Sequence, residues 1–184
     1  ILDYAHTPDA LKTCLKNLKE QFPGYKIALL FGCGGNRDQN KRAKMGKIAD
    51  FFSDKIYLTD DNPRLEQPSK IRKDIKKGIK KQKVLEFSNR AKAISEAINN
   101  LNTGEILLVA GKGHETTQEI GVKKIFFSDK KIILGAIKIK NLALSNNLKV
   151  NIVKELSGKK KISNKISLKQ ARINSREIKK GDIF

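Results

Sequence analysis

Apolar residues along this chain fall into two alternating kinds of run. Residues 26–31 (KIALLF), 55–58 (KIYL), 84–87 (VLEF) and 105–110 (EILLVA) are short and nearly continuously apolar. That is the pattern of strands covered on both faces in a parallel sheet. Between them, apolar positions recur every three or four residues: Leu11, Cys14, Leu15, Leu18; Met45, Ile48, Ala49, Phe52; Ile71, Ile75, Ile79; and Ala93, Ile94, Ala97, Ile98, Leu101. This spacing predicts amphipathic helices to about residue 21 and over 41–52, 67–79 and 89–101. Thr7-Pro8-Asp9 supplies the first helix with an N-cap, a proline at the first helical position and an acid in the first turn. Pro23-Gly24 ends it. Ile1-Leu2 reads as the end of a strand, and 122–127 as an antiparallel edge strand. Ser128-Asp129 caps a last helix expected to run to about Leu144. Strand, glycine-bearing loop and helix in repetition predict an α/β fold, Rossmann-like, with a mostly parallel sheet and helices on both faces.

Beyond Leu144 the pattern changes. Ser145-Asn146-Asn147 is expected to break the helix, with a short strand at 149–155 and a lysine-rich linker at 157–161. Residues 166–184 are too few for a domain and read as the opening of a second one. The expected plan is one domain over 1–143, a linker over 144–165 and a truncated second domain over 166–184.

Charge adds one candidate partner. With 39 Lys+Arg against 19 Asp+Glu the chain carries a formal +20, which suits a polyanion. The excess is mostly lysine spread along the length, aromatics are 6%, and no nucleic-acid motif is present. Solvated lysine faces are the favoured explanation, and a basic nucleic-acid-binding module is the alternative. Two cysteines, Cys14 and Cys33, make no disulfide framework and fit a reducing compartment. No apolar run is long enough to span a bilayer, and no signal peptide is visible. The chain starts Ile1-Leu2-Asp3-Tyr4 without Met, as though within a strand, and is read as a soluble cytoplasmic fragment of something larger.

Chemistry concentrates where the strands end. Open α/β sheets bind ligands at the carboxyl edge of their strands. Three strands there deliver Gly32-Cys33-Gly34-Gly35-Asn36-Arg37-Asp38, Asp60-Asp61-Asn62-Pro63-Arg64 and Gly111-Lys112-Gly113-His114-Glu115. Pro63 keeps Asn62 out of the helical region. Arg37, Asp61, Asn62, Arg64, Lys112, His114 and Glu115 are therefore expected to converge. Arginine grips carboxylates through a planar fork that lysine cannot copy. Two arginines with Glu115 and Asn62 complement a ligand bearing separated carboxylate and ammonium groups, and Gly111 lets backbone approach it closely. Plainer readings stand beside this one: an acidic strand-to-helix turn at 59–66, a local Arg37–Asp38 ion pair, a phosphate-facing turn at 112–114, a structural His114. The 32–35 loop lacks both the P-loop ending and the dinucleotide spacing. His6, His114 and Cys33 are too scattered to argue zinc.

Taken together, Asp3-Tyr4-Ala5-His6-Thr7-Pro8-Asp9-Ala10-Leu11, Gly32-Cys33-Gly34-Gly35-Asn36-Arg37-Asp38, Lys41-Arg42 with Met45-Gly46, Asp61-Asn62-Pro63-Arg64 and Gly111-Lys112-Gly113-His114-Glu115 resemble the C-terminal domain of Mur ligases of the MurE type over roughly 1–143. The resemblance implies an ATP- and Mg2+-dependent amide ligase of peptidoglycan synthesis. Such an enzyme adds meso-diaminopimelate to UDP-N-acetylmuramoyl-L-alanyl-D-glutamate through an acyl phosphate. It implies that Arg37, Asp61, Asn62, Pro63, Arg64, Gly111 and Glu115 bind diaminopimelate. Lysine-adding members depart from the motif at the arginine, which makes the lysine type the nearer alternative. Asp3, Tyr4 and His6 fall where the family closes on ATP. Phosphate loop, metal ligands and uridine-binding domain are expected upstream, so this chain by itself is expected to be inactive and to hold neither catalytic nor metal-binding residues. It departs from the family at Asn36, Ala43 and Asn89, where Asp, Pro and Asp are common. Asn174-Ser175-Arg176 with Gly181-Asp182-Ile183-Phe184 is similar to the opening of the D-alanyl-D-alanine-adding ligase, which implies a fusion of the two enzymes.

Overall fold

The computed structural model describes residues 1–157, and side chains as far as residue 145. The chain divides into two units at Ala136. The first holds strands β1 (Leu2–Asp3), β2 (Lys26–Phe31), β3 (Lys55–Thr59), β4 (Val84–Phe87) and β5 (Glu105–Ala110), helices α1 (Pro8–Gln21), α2 (Asn40–Phe52), α3 (Pro68–Lys76) and α4 (Arg90–Asn99), and a hairpin of β6 (Thr117–Ile120) and β7 (Lys123–Phe126). Helix α5 begins at Asp129 in this unit and runs to Ser157. The second unit starts at Ile137, and its described residues are helical.

β1 to β5 form one sheet in the order β1-β5-β2-β3-β4, every pair parallel. Alternation along the central strands sorts the core into two layers. Ile27, Leu29 and Phe31 of β2, with Ile56 and Leu58 of β3, pack against Leu11, Leu15 and Leu18 of α1, Met45 and Ala49 of α2, and Ile71 and Ile75 of α3. Ala28, Leu30 and Tyr57 face Ala93, Ile94, Ala97 and Ile98 of α4 and the start of α5 at Ile132, Ile133 and Ala136. The doubly covered parallel sheet is therefore the one the apolar runs predict. The first helix starts as its sequence requires, with Thr7 accepting from Ala10 N–H and proline at the head of the helix.

Three boundaries differ from expectation. The segment around 122–127 is no edge strand of the main sheet: β7 pairs antiparallel with β6 in a separate hairpin, turning at Gly121-Val122. The helix expected over 67–79 stops at Lys76. Ser145-Asn146-Asn147 does not break α5, which passes through the residues expected to form a strand and reaches Ser157. Serine and asparagine cost a helix only tenths of a kcal/mol each, about 0.5, and their neighbours here are good helix formers. The lysine-rich stretch after Ser157 and the Asn174–Phe184 tail lie outside the described residues.

Candidate functional site

At the carboxyl edge of the sheet the loops after β1, β2, β3 and β5 enclose a cleft of about 600 Å³. Its lining includes Tyr4, His6, Gly32, Arg37, Asp61, Asn62, Arg64, Gly111 and Glu115. Of the residues singled out in the sequence, Asp3, Pro63, Lys112 and His114 do not line it. Asp3 instead braces the first loop, its Oδ1 accepting from Ala5 N–H and its carbonyl from Gly111 N–H. Pro63 is buried and shapes the turn, its carbonyl accepting from Glu66 N–H.

The turn after β3 is held from both sides. Gly35 N–H donates to the Asn62 carbonyl at 2.8 Å, and a Cβ at Gly35 would overlap the Pro63 carbonyl oxygen. From the other side, strand β6 lies along the turn. Gln118 Nε2 donates to the Asp61 carbonyl at 2.6 Å, Glu119 N–H to Asn62 Oδ1 at 3.1 Å, and Arg64 N–H to the Glu119 carbonyl at 3.1 Å. Held this way, Arg64 takes a left-handed φ of 52°, a conformation uncommon outside glycine, asparagine and aspartate. Its Nη1 donates to the Gly35 carbonyl at 2.8 Å.

Charges in the cleft divide into committed and uncommitted groups. Lys112, expected to face a ligand, is wholly buried, and its Nζ donates to Asn62 Oδ1 at 2.9 Å and Glu115 Oε2 at 2.8 Å. Burial works to raise the Glu115 carboxyl. Hydrogen bonds from Lys112, Asn62 and Tyr4, with the Lys112 charge, outweigh it and hold the group below the ordinary carboxylate range. Asp61 is different. Its Oδ2 is buried and has no hydrogen-bond partner among the described residues. It lies 2.9 Å from where a Cβ on Gly111 would stand, at a φ of 112°. A buried, unpaired carboxylate oxygen is costly, and a cationic donor entering the cleft is the group it lacks. Arg37 is exposed along the cleft and makes no ion pair, with Asp38 or otherwise, among the described residues. Cys33 is buried beside Met45, and burial pushes its thiol up to about 12, so it is inert here.

Arg42 and Arg90 lie buried beneath the loops, in roles that the sequence pattern does not assign. Arg42 of α2 spans the site's underside, with Nη2 donating to both oxygens of Glu66 (2.9 and 2.8 Å) and Nη1 to Asp74 at 3.2 Å. Glu66 also accepts from Asn36 N–H at 2.5 Å, and Asn36 Oδ1 accepts from Leu65 N–H at 3.0 Å. The asparagine at 36 thus supplies the acceptor this latch needs, at a left-handed φ of 52°. Arg90 pairs with Asp129 (2.9 and 2.7 Å) and donates to the Ala110 carbonyl at 3.0 Å, just ahead of Gly111. Nothing in periodicity marks a buried arginine. The hairpin had a readable signal, a Gly-X pair between two strand-like runs.

At the mouth, Tyr4 packs edge-on to His6 with ring centroids 4.6 Å apart and lies tilted against His114 at 5.7 Å. Lys41 Nζ donates to the His6 carbonyl at 2.9 Å. The exposed rings and the neighbouring Lys41 form an aromatic and cationic surface beside the cleft. Among the described residues no group of three His, Cys, Asp or Glu side chains is placed to hold a metal ion, and no helix is long and apolar enough to cross a membrane.

Comparison with known proteins gives this architecture a family. The Rickettsia rickettsii UDP-N-acetylmuramoyl-L-alanyl-D-glutamate–2,6-diaminopimelate ligase is 51% identical over 139 residues, covering 75% of this chain and 29% of that protein. The Prochlorococcus marinus subsp. pastoris ligase of the same name is 50% identical over 133 residues, covering 72% and 26%. A solved structure of a ligase so named superposes with a TM-score of 0.72 at 39% identity, covering 76% of this chain and 29% of that one. The chain thus spans under a third of the length of these relatives. Residues 1–113 match the model of the Mur ligase, glutamate ligase domain, and the chain belongs to that family.

Proposed function

We propose that this chain is the amino-acid-binding and closing domain of an ATP-dependent amide ligase that adds meso-diaminopimelate to UDP-N-acetylmuramoyl-L-alanyl-D-glutamate in the cytoplasm. The observation that carries the reading is the charge pattern of one cleft: Arg37 and Arg64 on its walls, and the unpaired Asp61 Oδ2 beside Gly111. Diaminopimelate presents two carboxylates and two ammonium groups. Arg64 takes the distal carboxylate and Asp61, with Glu115 behind it, takes the distal ammonium. Lys112 already balances Glu115, so Asp61 carries the larger share. Asn62 braces the turn through its carbonyl and Oδ1. Arg37 orients the proximal end, so that the reacting amine faces the cleft mouth.

Two relatives of about 50% identity are named 2,6-diaminopimelate ligases, which supports the same substrate class. A lysine-adding ligase would have no distal carboxylate for Arg64. ATP, with Mg2+, supplies the activation of the acceptor's carboxyl. The Tyr4–His6–His114 surface and Lys41 suit its base and phosphates, while the rest of its site belongs to the remainder of the ligase.

The test is Arg64→Ala in the complete ligase. Losing a carboxylate-paired arginine is expected to raise KM for meso-diaminopimelate by about two orders of magnitude, with KM for ATP unchanged. An unaltered KM for the amino acid would overturn the assignment.

A further inference from the structure

Arg64 has several rotatable bonds and sits partly in solvent, with a side chain 23% exposed. Left to itself it would sample many rotamers, and the substrate would have to freeze it. The fold supplies a restraint. Arg64 N–H and carbonyl are both engaged by β6 and its turn, donating to the Glu119 carbonyl and accepting from Gly121 N–H at 2.7 Å. An isolated parallel bridge to Ile120 continues the contact. Glu119 N–H is tied in turn to Asn62 Oδ1, so the backbone at 119 is fixed against both polar residues of the turn. From that anchored position the Glu119 carboxylate places Oε2 at 2.6 Å from Arg64 Nε.

Where Glu119 stands decides what it does. Arg64 borders two hollows, the cleft and a groove on the hairpin side. Glu119 lines only the second, together with Gly121, Val122, Lys123 and Lys124. It therefore reaches the guanidinium from behind, while Nη1 is held by the Gly35 carbonyl. Nη2 makes no hydrogen bond among the described residues and is left for a ligand.

Resting on the reading of Arg64 as the group that takes the distal carboxylate, we propose that Glu119 is a positioning residue for that recognition. It holds the Arg64 guanidinium in its cleft-facing pose before the amino acid arrives. It is a support, and does not occupy the place of the substrate carboxylate.

The experiment uses the complete ligase with Glu119→Gln, which keeps size and backbone contacts and removes the charge. Loss of a partly exposed ion pair and of its ordering is expected to raise KM for meso-diaminopimelate about threefold to tenfold. KM for ATP, kcat at saturation and melting temperature are expected to hold. On an Arg64→Ala background the same change is expected to add nothing. A KM for the amino acid that stays level, or falls as it would for a displaced competitor, overturns the proposal. So does a lowered melting temperature with both KM values shifted, which marks a merely structural contact. If Arg64→Ala itself leaves KM unmoved, the underlying reading fails. If Arg64→Ala raises KM and Glu119→Gln does not, only the role of Glu119 fails.

Discussion

Glu66→Ala tests whether the latch beneath the cleft is held by charge. The Arg42 side chain is fully buried and that of Glu66 is 16% exposed. Arg42 spends Nη2 on both Glu66 oxygens, and Glu66 is also the acceptor for Asn36 N–H. Removing one partner of a buried pair typically costs about 3–5 kcal/mol, because the other charge is stranded. Asp74 remains 3.2 Å from Arg42 Nη1, and the vacated side chain admits water, so about 2–3 kcal/mol is the expected cost here. For a domain of this size that lowers the melting temperature by roughly 6–12 °C, measurable by far-ultraviolet circular dichroism on the chain itself. The double variant Arg42→Met with Glu66→Leu, which leaves Asp74 still paired with Lys77 at 2.7 Å, should recover most of the loss. Acid titration gives a second readout. Burial pushes the Glu66 carboxyl up, but Asn36 N–H and Arg42 outweigh it, and the group is held below its ordinary value of 4.5. A depressed carboxylate contributes stability that is present above its unfolded value and lost as pH falls through its folded value. The gap between wild type and Glu66→Ala should therefore be widest near neutrality and close as pH drops below about 4.5. A melting temperature within about 1 °C of wild type at neutral pH would falsify the idea that a stranded charge sets the cost.

Two further outcomes follow from the same geometry. Gly111→Ala places a methyl group 2.9 Å from Asp61 Oδ2 at a φ of 112°. It should weaken meso-diaminopimelate binding by the complete ligase more than tenfold, roughly 1.4 kcal/mol or more. Calorimetry showing wild-type affinity would contradict this. Asp129→Asn leaves the Arg90 charge without its counter-ion in a pair 0% exposed on both sides. The expected loss is about 3–5 kcal/mol, read as a lower urea midpoint, and an unmoved midpoint would count against it.

Much of the architecture was legible because strands buried on both faces cannot alternate. The runs at 26–31 and 105–110 therefore announced a parallel sheet before any pairing was known. The carboxyl-edge rule gathered Arg37, Asp61, Asn62, Arg64 and Glu115 around one cleft, whereas Lys112 and His114, expected with them, do not line it. Illegible were the contacts that depend on distance along the chain. That Gln118 and Glu119 grip a turn 57 residues earlier is written in no local pattern. Lys112 illustrates a different limit. Its place in a glycine-flanked loop suggested an exposed phosphate-facing cation, whereas its amine is consumed by Asn62 and Glu115. The burial of Arg42 and Arg90 was hidden because a charged residue on a helix reads as a solvent face until its buried partner is known. The Ser145-Asn146-Asn147 stretch misled by giving propensity a weight that a long helix overrides.

The hydrogen bonds joining β6 to the Asp61–Arg64 turn also set an order of events in folding. β1 must wait for β5, since Ile1 bonds to Leu107 across 106 residues, and contacts so remote in sequence form slowly. The turn must wait longer, because its partners at 118–121 follow β5. During synthesis the layer of α1, α2 and α3 against the sheet can assemble from residues 1–110 while the Asp61–Arg64 turn still lacks its partners on β6. A chain cut just after Glu115 would keep every strand of the main sheet and lose the bonds from Gln118, Glu119 and Gly121 to the Asp61–Arg64 turn. The turn is therefore completed from outside the sheet, by a hairpin that pairs with none of its strands.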